Sequence, residues 1–268
     1  MADPARLDMP AYLARVGLKG PLAPSAATLD ALHLAHATSI PFENLDVLLG
    51  NPPRLDLANI QAKLVHDLRG GYCYEHNLLF AAALREVGFA VTPLAARVRY
   101  RATRLLPRTH MLLLVRTGEL VWVADVGFGG GGPLKPVPFS PAGVSVQFQW
   151  AYRVTEESPG LWVVQSGGVD DVWDDLYAFT LEPQELVDYE LANYFVSTHP
   201  DSPFTSVVTA QRATPEARYI LRNRVFTTDR GSELASRVLA DEAEMLRVLA
   251  DTFGLHVPAG RALRYSAE

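Results

Sequence analysis

Arg69-Gly70-Gly71-Tyr72-Cys73-Tyr74-Glu75-His76-Asn77 is the stretch from which the rest of the 268-residue chain can be read. It holds the only cysteine, directly after a glycine pair and at the head of an apolar run, Leu78 to Val87, that ends at Gly88. Glycine accepts the left-handed conformation of a helix C-terminus, so Gly70-Gly71 reads as the stop of one helix. The run that follows, apolar nearly all round, predicts a buried helix beginning near Cys73. A first helical turn carries unpaired N–H groups and the positive end of the helix dipole. Both favour thiolate over thiol, and the same N–H groups could receive the oxyanion formed when a thiolate attacks a carbonyl. The competing reading of Cys73 is a small buried hydrophobe.

A single cysteine forms no intramolecular disulfide and supplies no thiolate zinc cluster. About half of the residues are apolar and 20% are charged, the composition of a globular chain with ample core. Lys and Arg number 24 against 30 Asp and Glu, a net charge of −6, which argues against nucleic-acid binding. Met1 to Pro10 carries Asp3, Arg6 and Asp8 without an apolar core, and no stretch reaches about 18 uninterrupted apolar residues. A cytoplasmic protein without membrane contact is expected.

Up to Gly88 the apolar residues recur at helical spacing: Leu29, Leu32, Leu34 and Ala35, then Ile60, Leu64 and Leu68, the latter helix capped by Asp56. After Gly88, β-branched and aromatic runs predict antiparallel strands at Val91 to Tyr100, His110 to Arg116, Glu119 to Val126, Val144 to Val154 and Leu161 to Gln165. Pro183 reads as the first residue of a helix over Gln184 to Phe195. A strand at Arg218 to Thr227 and a terminal helix over Glu233 to Phe253, with the stripe Leu234, Val238, Met245, Leu249 and Phe253, complete the reading. The expected organisation is α+β in three parts: a helical bundle over 1–90, an antiparallel β-barrel over 91–182, and an α/β lid with its connecting helix over 183–268.

A nucleophilic cysteine needs a base, and the chain has seven histidines. His76, one turn beyond Cys73, reads as facing solvent. His33 and His36 have a metal-compatible i, i+3 spacing but no third ligand nearby, so no metal is expected. His110 has a partner. If the strands around Thr117-Gly118 form a hairpin in which Arg116 opposes Glu119, the same register sets His110 opposite Asp125. A carboxylate there would fix the imidazole tautomer and stabilise imidazolium beside thiolate. The competing reading is a polar pair on a half-exposed sheet. Gly127, Gly129 and Gly132 formally satisfy G-x-G-x-x-G, but Pro133 to Pro138 cannot open a helix, so a dinucleotide fingerprint is rejected. What remains is a glycine loop whose N–H groups could receive phosphate oxygens.

Pro41-Phe42-Glu43-Asn44-Leu45, the Cys73 motif, Thr109-His110-Met111, Asp125-Val126-Gly127-Phe128-Gly129 and Asn193 to Pro200 running on to Phe204-Thr205 together resemble the arylamine N-acetyltransferase family. The resemblance implies a helical domain, a β-barrel and an α/β lid around a cysteine-protease or transglutaminase-like core. It implies a Cys73, His110 and Asp125 triad and a ping-pong reaction. Acetyl-CoA would acetylate Cys73, and an arylamine, arylhydrazine or hydrazide would take the acetyl group. It assigns Thr109, Phe128, Gly129, Gly130 and Phe204 to the coenzyme, and Phe42, Phe128 and Phe204 to the acceptor. Glu43 and Arg69 are expected to form a buried ion pair that braces the loop before Cys73. Rival readings are an amide synthase of the same fold that moves a longer acyl group, and a cysteine hydrolase or transglutaminase-like enzyme. Self-association is left open.

Overall fold

Asp8 accepts the Ala11 N–H and caps α1 (Met9–Val16), and Ser25 does the same for Thr28 at the head of α2 (Ala26–Ser39). A two-residue strand β1 (Phe42–Glu43) and a single turn α3 (Leu45–Leu48) follow. The computed structural model from which these elements are drawn describes residues 6–141, 143–167 and 172–266.

Asp56 caps α4 (Leu57–Gln61) as the sequence predicts, but the helix does not continue evenly to Leu68. Ala62–His66 is a π-turn closed by the Asp67 N–H on the Ala62 carbonyl, and the chain leaves it through Leu68 at φ 56°. The left-handed stop is therefore Leu68, and Gly70-Gly71 serves a different purpose. Gly71 donates to the Pro41 carbonyl and accepts from Glu43, so the motif lies against β1. A Cβ on Gly70 would fall on the Pro41 carbonyl oxygen, and one on Gly71 would come to 2.7 Å from Glu75 Oε2. Close backbone approach, rather than helix termination, demands the pair. The Cys73 helix, α5 (Cys73–Val87), then runs to Gly88, whose φ is 101°.

Eight antiparallel strands form the central sheet: β2 (Ala90–Val98), β3 (His110–Thr117), β4 (Leu120–Ala124), β5 (Val137–Pro138), β6 (Val144–Gln147), β7 (Trp150–Ser158), β8 (Leu161–Gly167) and β9 (Trp173–Pro183). Their order is β5-β4-β3-β2-β9-β8-β7-β6. The Gln147 amide on β6 accepts the Leu134 and Lys135 N–H groups and donates to the Lys135 carbonyl, drawing the two edges towards closure. Leu94, Ala96, Leu112, Tyr152, Val164, Tyr177 and Phe179 fill the inside.

Two expectations fail here for identifiable reasons. Val144 to Val154 is a hairpin, not one strand, because Phe148 turns the chain at φ 58°. β9 has no counterpart among the strands the sequence predicts. Leu176 to Phe179 is buried on both faces, so it shows no period-2 alternation, yet this strand pairs with both β2 and β8. Pro183 ends β9, and the connecting helix α6 (Leu186–Thr198) starts beyond it.

A second antiparallel sheet has the order β1-β10-β11-β12-β13, built from β10 (Thr209–Ala213), β11 (Arg218–Arg222), β12 (Val225–Asp229) and β13 (Leu234–Val238). Asn223 at φ 49° divides the single strand expected over 218–227. The expected helix over 233–253 is β13 followed by α7 (Glu242–Phe253), newly capped by Asp241 on the Glu244 N–H. Met245, Leu249 and Phe253 are buried as the stripe predicts, whereas Leu234 and Val238 stand 70% exposed. A spacing of four suits one face of a strand as well as one face of a helix, which is why the pattern misled. β1 ties the helical region into this sheet, with Phe42 opposite Gln211. Among the described residues no helix is long and apolar enough to cross a membrane.

Gly70→Ala is expected to lower unfolding stability by about 3 kcal/mol, because the Pro41 carbonyl is backbone and cannot step aside. Urea denaturation measures this, and a loss below 1 kcal/mol would mean that the two segments do not pack as described.

Candidate active site

Cys73 opens α5 and is 5% exposed. Its neighbour Tyr72 gives its backbone N–H to Glu75 Oε2 at 3.0 Å, which fixes the helix start. The Cys73 sulfur lies 3.6 Å from the Thr109 carbonyl, so β3 begins beside it. His110, the first residue of β3, places Nε2 2.7 Å from Asp125 Oδ2 and lies within electrostatic reach of Cys73.

The hairpin that brings His110 to Asp125 is not the expected one. Thr117 pairs with Leu120 and Arg116 with Val121, so the two-residue turn is Gly118-Glu119, with Gly118 at φ 59°. A glycine with positive φ at the first turn position sets this register. Continued outward, it would put Asp125 one diagonal step from His110 rather than opposite it. Diagonal neighbours lie on the same face, and the ladder ends at Ala124, which frees Asp125 to lean across.

Asp125 is 1% exposed and fully hydrogen-bonded. Oδ2 accepts from His110, while Oδ1 accepts from Asn77 Nδ2 and the Gly127 N–H, each at 2.9 Å. Asn77 also donates to the Met111 carbonyl and accepts the Val126 N–H, joining α5, β3 and the 125–127 segment. Gly127 is required there, since a Cβ would come to 2.9 Å from Cys73 Cα. Burial opposes both charges, but each ion outweighs that cost for the other. His110 is pushed up to about 10 by Asp125, with Cys73 contributing, and Asp125 is held below the usual carboxylate range by His110, Asn77 and Gly127.

Rings enclose the pair. Tyr177 of β9 lies 4.7 Å from the His110 ring and Phe128 meets its edge at 5.3 Å. Burial and the Asp125 charge keep the Tyr177 hydroxyl protonated. Phe42 and Phe204 form a second aromatic wall, 6.0 Å apart, with Tyr72 5.8 Å from Phe204. A cavity of about 20 Å³ bordered by Phe42, Phe128, His76, Gly129 and Gln211 lies between β1, the glycine loop and β10.

The glycine loop is less open than its sequence suggests. The Gly130 N–H is already given to the Gln211 side chain, and the Gly132 N–H to the Gly129 carbonyl at 2.9 Å. These two groups do not await a phosphate. Gly129, at φ 92°, packs against Gln211 and Phe42. Gln211 is a site residue that no motif announced, because its partner strand β1 is only two residues long.

His76 does not face solvent. It is buried and donates from Nε2 to the Pro41 carbonyl at 3.2 Å, so its Nδ1 accepts from His36 Nε2 at 3.0 Å. His36 Nδ1 in turn accepts the Tyr12 hydroxyl at 3.0 Å, and both ring nitrogens of His36 are thereby engaged. His33 Nε2 accepts the Asp125 backbone N–H at 3.1 Å. Burial drives His33 and His76 down to about 4 and His36 well below its ordinary value, so all three are neutral donors and acceptors.

A family model described as N-acetyltransferase matches residues 25–262. An arylamine N-acetyltransferase of Escherichia coli is 39% identical over 249 residues, covering 92% of this chain and 88% of that one. The chain belongs to the arylamine N-acetyltransferase family. It is a family of acyltransferase enzymes, and its solved structures share the fold described above. That of the Nocardia farcinica arylamine N-acetyltransferase superposes with a TM-score of 0.87 at 43% identity, covering 96% and 95% of the two chains. That of the Mycobacterium marinum arylamine N-acetyltransferase in complex with CoA gives 0.88 at 34%, covering 92% of each. Proansamycin X synthase of Amycolatopsis mediterranei is 30% identical over 244 residues, covering 88% of this chain and 93% of that one.

A folded-state value near 10 for His110, above about 6.5 for a free imidazole, means that the ion pair stabilises fully below pH 6.5 and that this contribution fades as pH rises through 10. Wild type is therefore expected to lose more unfolding free energy between pH 7 and 10.5 than His110→Gln. Equal losses in parallel urea titrations would mean that His110 is neutral in the fold.

Proposed function

We propose that the protein transfers an acetyl group from acetyl-CoA to arylamines, arylhydrazines and hydrazides through an acetyl thioester on Cys73, within a cysteine-protease-like arrangement of Cys73, His110 and Asp125. The observation that carries the reading is the buried His110–Asp125 pair at 2.7 Å beside the helix-start cysteine. The names of the relatives and the CoA complex of one of them support the donor and acceptor classes.

In the first half-reaction Sγ attacks the acetyl carbonyl of the substrate thioester. His110, charged through Nδ1 while Nε2 rests on Asp125, gives its proton to the departing coenzyme sulfur, so the thiol leaves neutral. In the second, the amine nitrogen attacks the acetyl-Cys73 carbonyl. Neutral His110 takes the amine proton, the C–S bond breaks, and thiolate and imidazolium are restored. The aromatic rings of Phe42, Phe128 and Phe204 line the approach, where a neutral aromatic amine gains from burial and water is kept from the thioester. Thr109, Gly129 and Gly130 are proposed as neighbours of the coenzyme, Gly130 through its backbone surface because its N–H is engaged.

Intact-mass measurement after mixing with acetyl-CoA is expected to show one acetyl increment on wild type, lost on adding an aromatic amine and absent in Cys73→Ala. No adduct, together with no coenzyme A released in the presence of the amine, would end the reading. Asp125→Asn should keep the fold yet lower kcat/KM on the order of 10³–10⁴-fold, through loss of imidazolium stabilisation and of tautomer control. Near-normal turnover would reduce Asp125 to a sheet residue.

A further inference from the structure

The Glu43–Arg69 pair expected from the sequence is one edge of a larger cluster, with Glu43 and Glu75 buried and Asp46, Lys63 and Arg69 half-buried. Arg69 Nη2 reaches Glu43 Oε1 at 2.9 Å and Asp46 Oδ1 at 3.0 Å. Lys63 Nζ reaches Asp46 Oδ2 at 2.7 Å, Glu75 Oε1 at 2.8 Å and Glu43 Oε1 at 3.9 Å. Three carboxylates thus share two cations. Their shares are unequal: Glu43 and Asp46 each have Arg69 as well as Lys63, whereas Glu75, 2% exposed, has only Lys63 among the described residues. The other oxygen of Glu75 holds the Tyr72 N–H at the start of the Cys73 helix.

Lys63 comes from the π-turn, Ala62–His66. Such a turn widens the helical repeat and re-aims the side chains within it. Arg15 pins this stretch, donating to the carbonyls of Leu64, Leu68 and Arg69, and to that of Ser39. The irregular backbone therefore has a held position and a charge directed inward.

We propose that Lys63 is a positioning residue for Cys73. By neutralising Glu75 it keeps that carboxylate on the Tyr72 N–H, fixes the helix end that carries the sulfur, and spares the thiolate an uncompensated negative charge two residues away. The proposal rests on the reading of Cys73 as the nucleophile. Burial raises Glu75 and Glu43 adds to this, so Lys63, helped by the Tyr72 N–H, opposes protonation of the cap. The titratable groups within electrostatic reach of Cys73 are His110 from β3, Tyr189 from α6, and Tyr72 and Tyr74 of its own segment, and the Thr109 carbonyl lies 3.6 Å from the sulfur. Loss of Lys63 leaves these in place; Glu43 and Asp46 keep Arg69, and Glu75 alone is left without a cation among the described residues.

The test is the rate of Cys73 alkylation by iodoacetamide, followed by intact mass from pH 4 to 9 on the full chain. Lys63→Met is expected to alkylate at least tenfold more slowly at pH 7, with the acid limb of the profile moved to higher pH. Lys63→Arg should stay within threefold of wild type. Lys63→Met with Glu75→Gln, which keeps an oxygen for the Tyr72 N–H without the charge, should regain most of the lost rate. A Lys63→Met protein with the wild-type profile, whatever its melting temperature, overturns the proposal, and so does a double variant as slow as Lys63→Met. Should Lys63→Met fail to fold, the double variant decides alone: a rate near wild type supports the proposal and a tenfold deficit overturns it. Alkylation is run without acetyl-CoA and reads the free thiolate whether or not the chain can be acetylated, so failure of the nucleophile reading shows separately, as a wild type that acquires no acetyl increment from acetyl-CoA.

Discussion

His110 and Asp125, 3% and 1% exposed, form an ion pair that could not persist at such burial without the groups arranged round it. Removing either charge from water costs several kcal/mol even after relaxation, and only mutual attraction with complete hydrogen bonding offsets it. The surroundings meet that demand. Every Asp125 oxygen has a donor, and its backbone N–H has His33. Asn77 extends the constraint into α5, so the element that carries the nucleophile and the hairpin that carries the base are held by one side chain. Gly127 is bare because that junction leaves no room for a Cβ.

Charge and neutrality are partitioned by partner rather than by depth. His33, His36 and His76 are as buried as His110, yet they are neutral, because their partners are a hydroxyl, another imidazole, carbonyls and an amide. His110 alone among the four hydrogen-bonds a carboxylate side chain, and it alone is driven upward. The cluster of Glu43, Asp46, Lys63, Arg69 and Glu75 repeats the logic at the other side of the Cys73 helix start, where two cations hold three carboxylates against the backbone they brace.

Much of this was legible in the sequence, sometimes for an incomplete reason. The His110–Asp125 contact was anticipated from a register one residue out at the turn. The inference survived because that error turns opposite neighbours into diagonal ones without changing their face. The glycine pair is legible but its reason is not, since a one-dimensional pattern shows glycine's freedom to turn and not the Pro41 carbonyl pressed on Gly70 or the Glu75 side chain pressed on Gly71. β9 escaped because a strand covered on both faces has no alternation, and Tyr177 was lost with it. Gln211 and Lys63 lie outside the recognised motifs: one reaches the site through a two-residue strand, the other through a π-turn that no periodicity foretells.

The central claim is that one imidazole of seven is held charged by a buried carboxylate, and ¹⁵N NMR of histidine-labelled protein tests it most directly. At pH 8 the account predicts that His110 is an imidazolium with both ring nitrogens protonated, which becomes neutral in Asp125→Asn, while His33, His36 and His76 remain neutral down to pH 5.5. A neutral His110 at pH 8 in the wild type would contradict it.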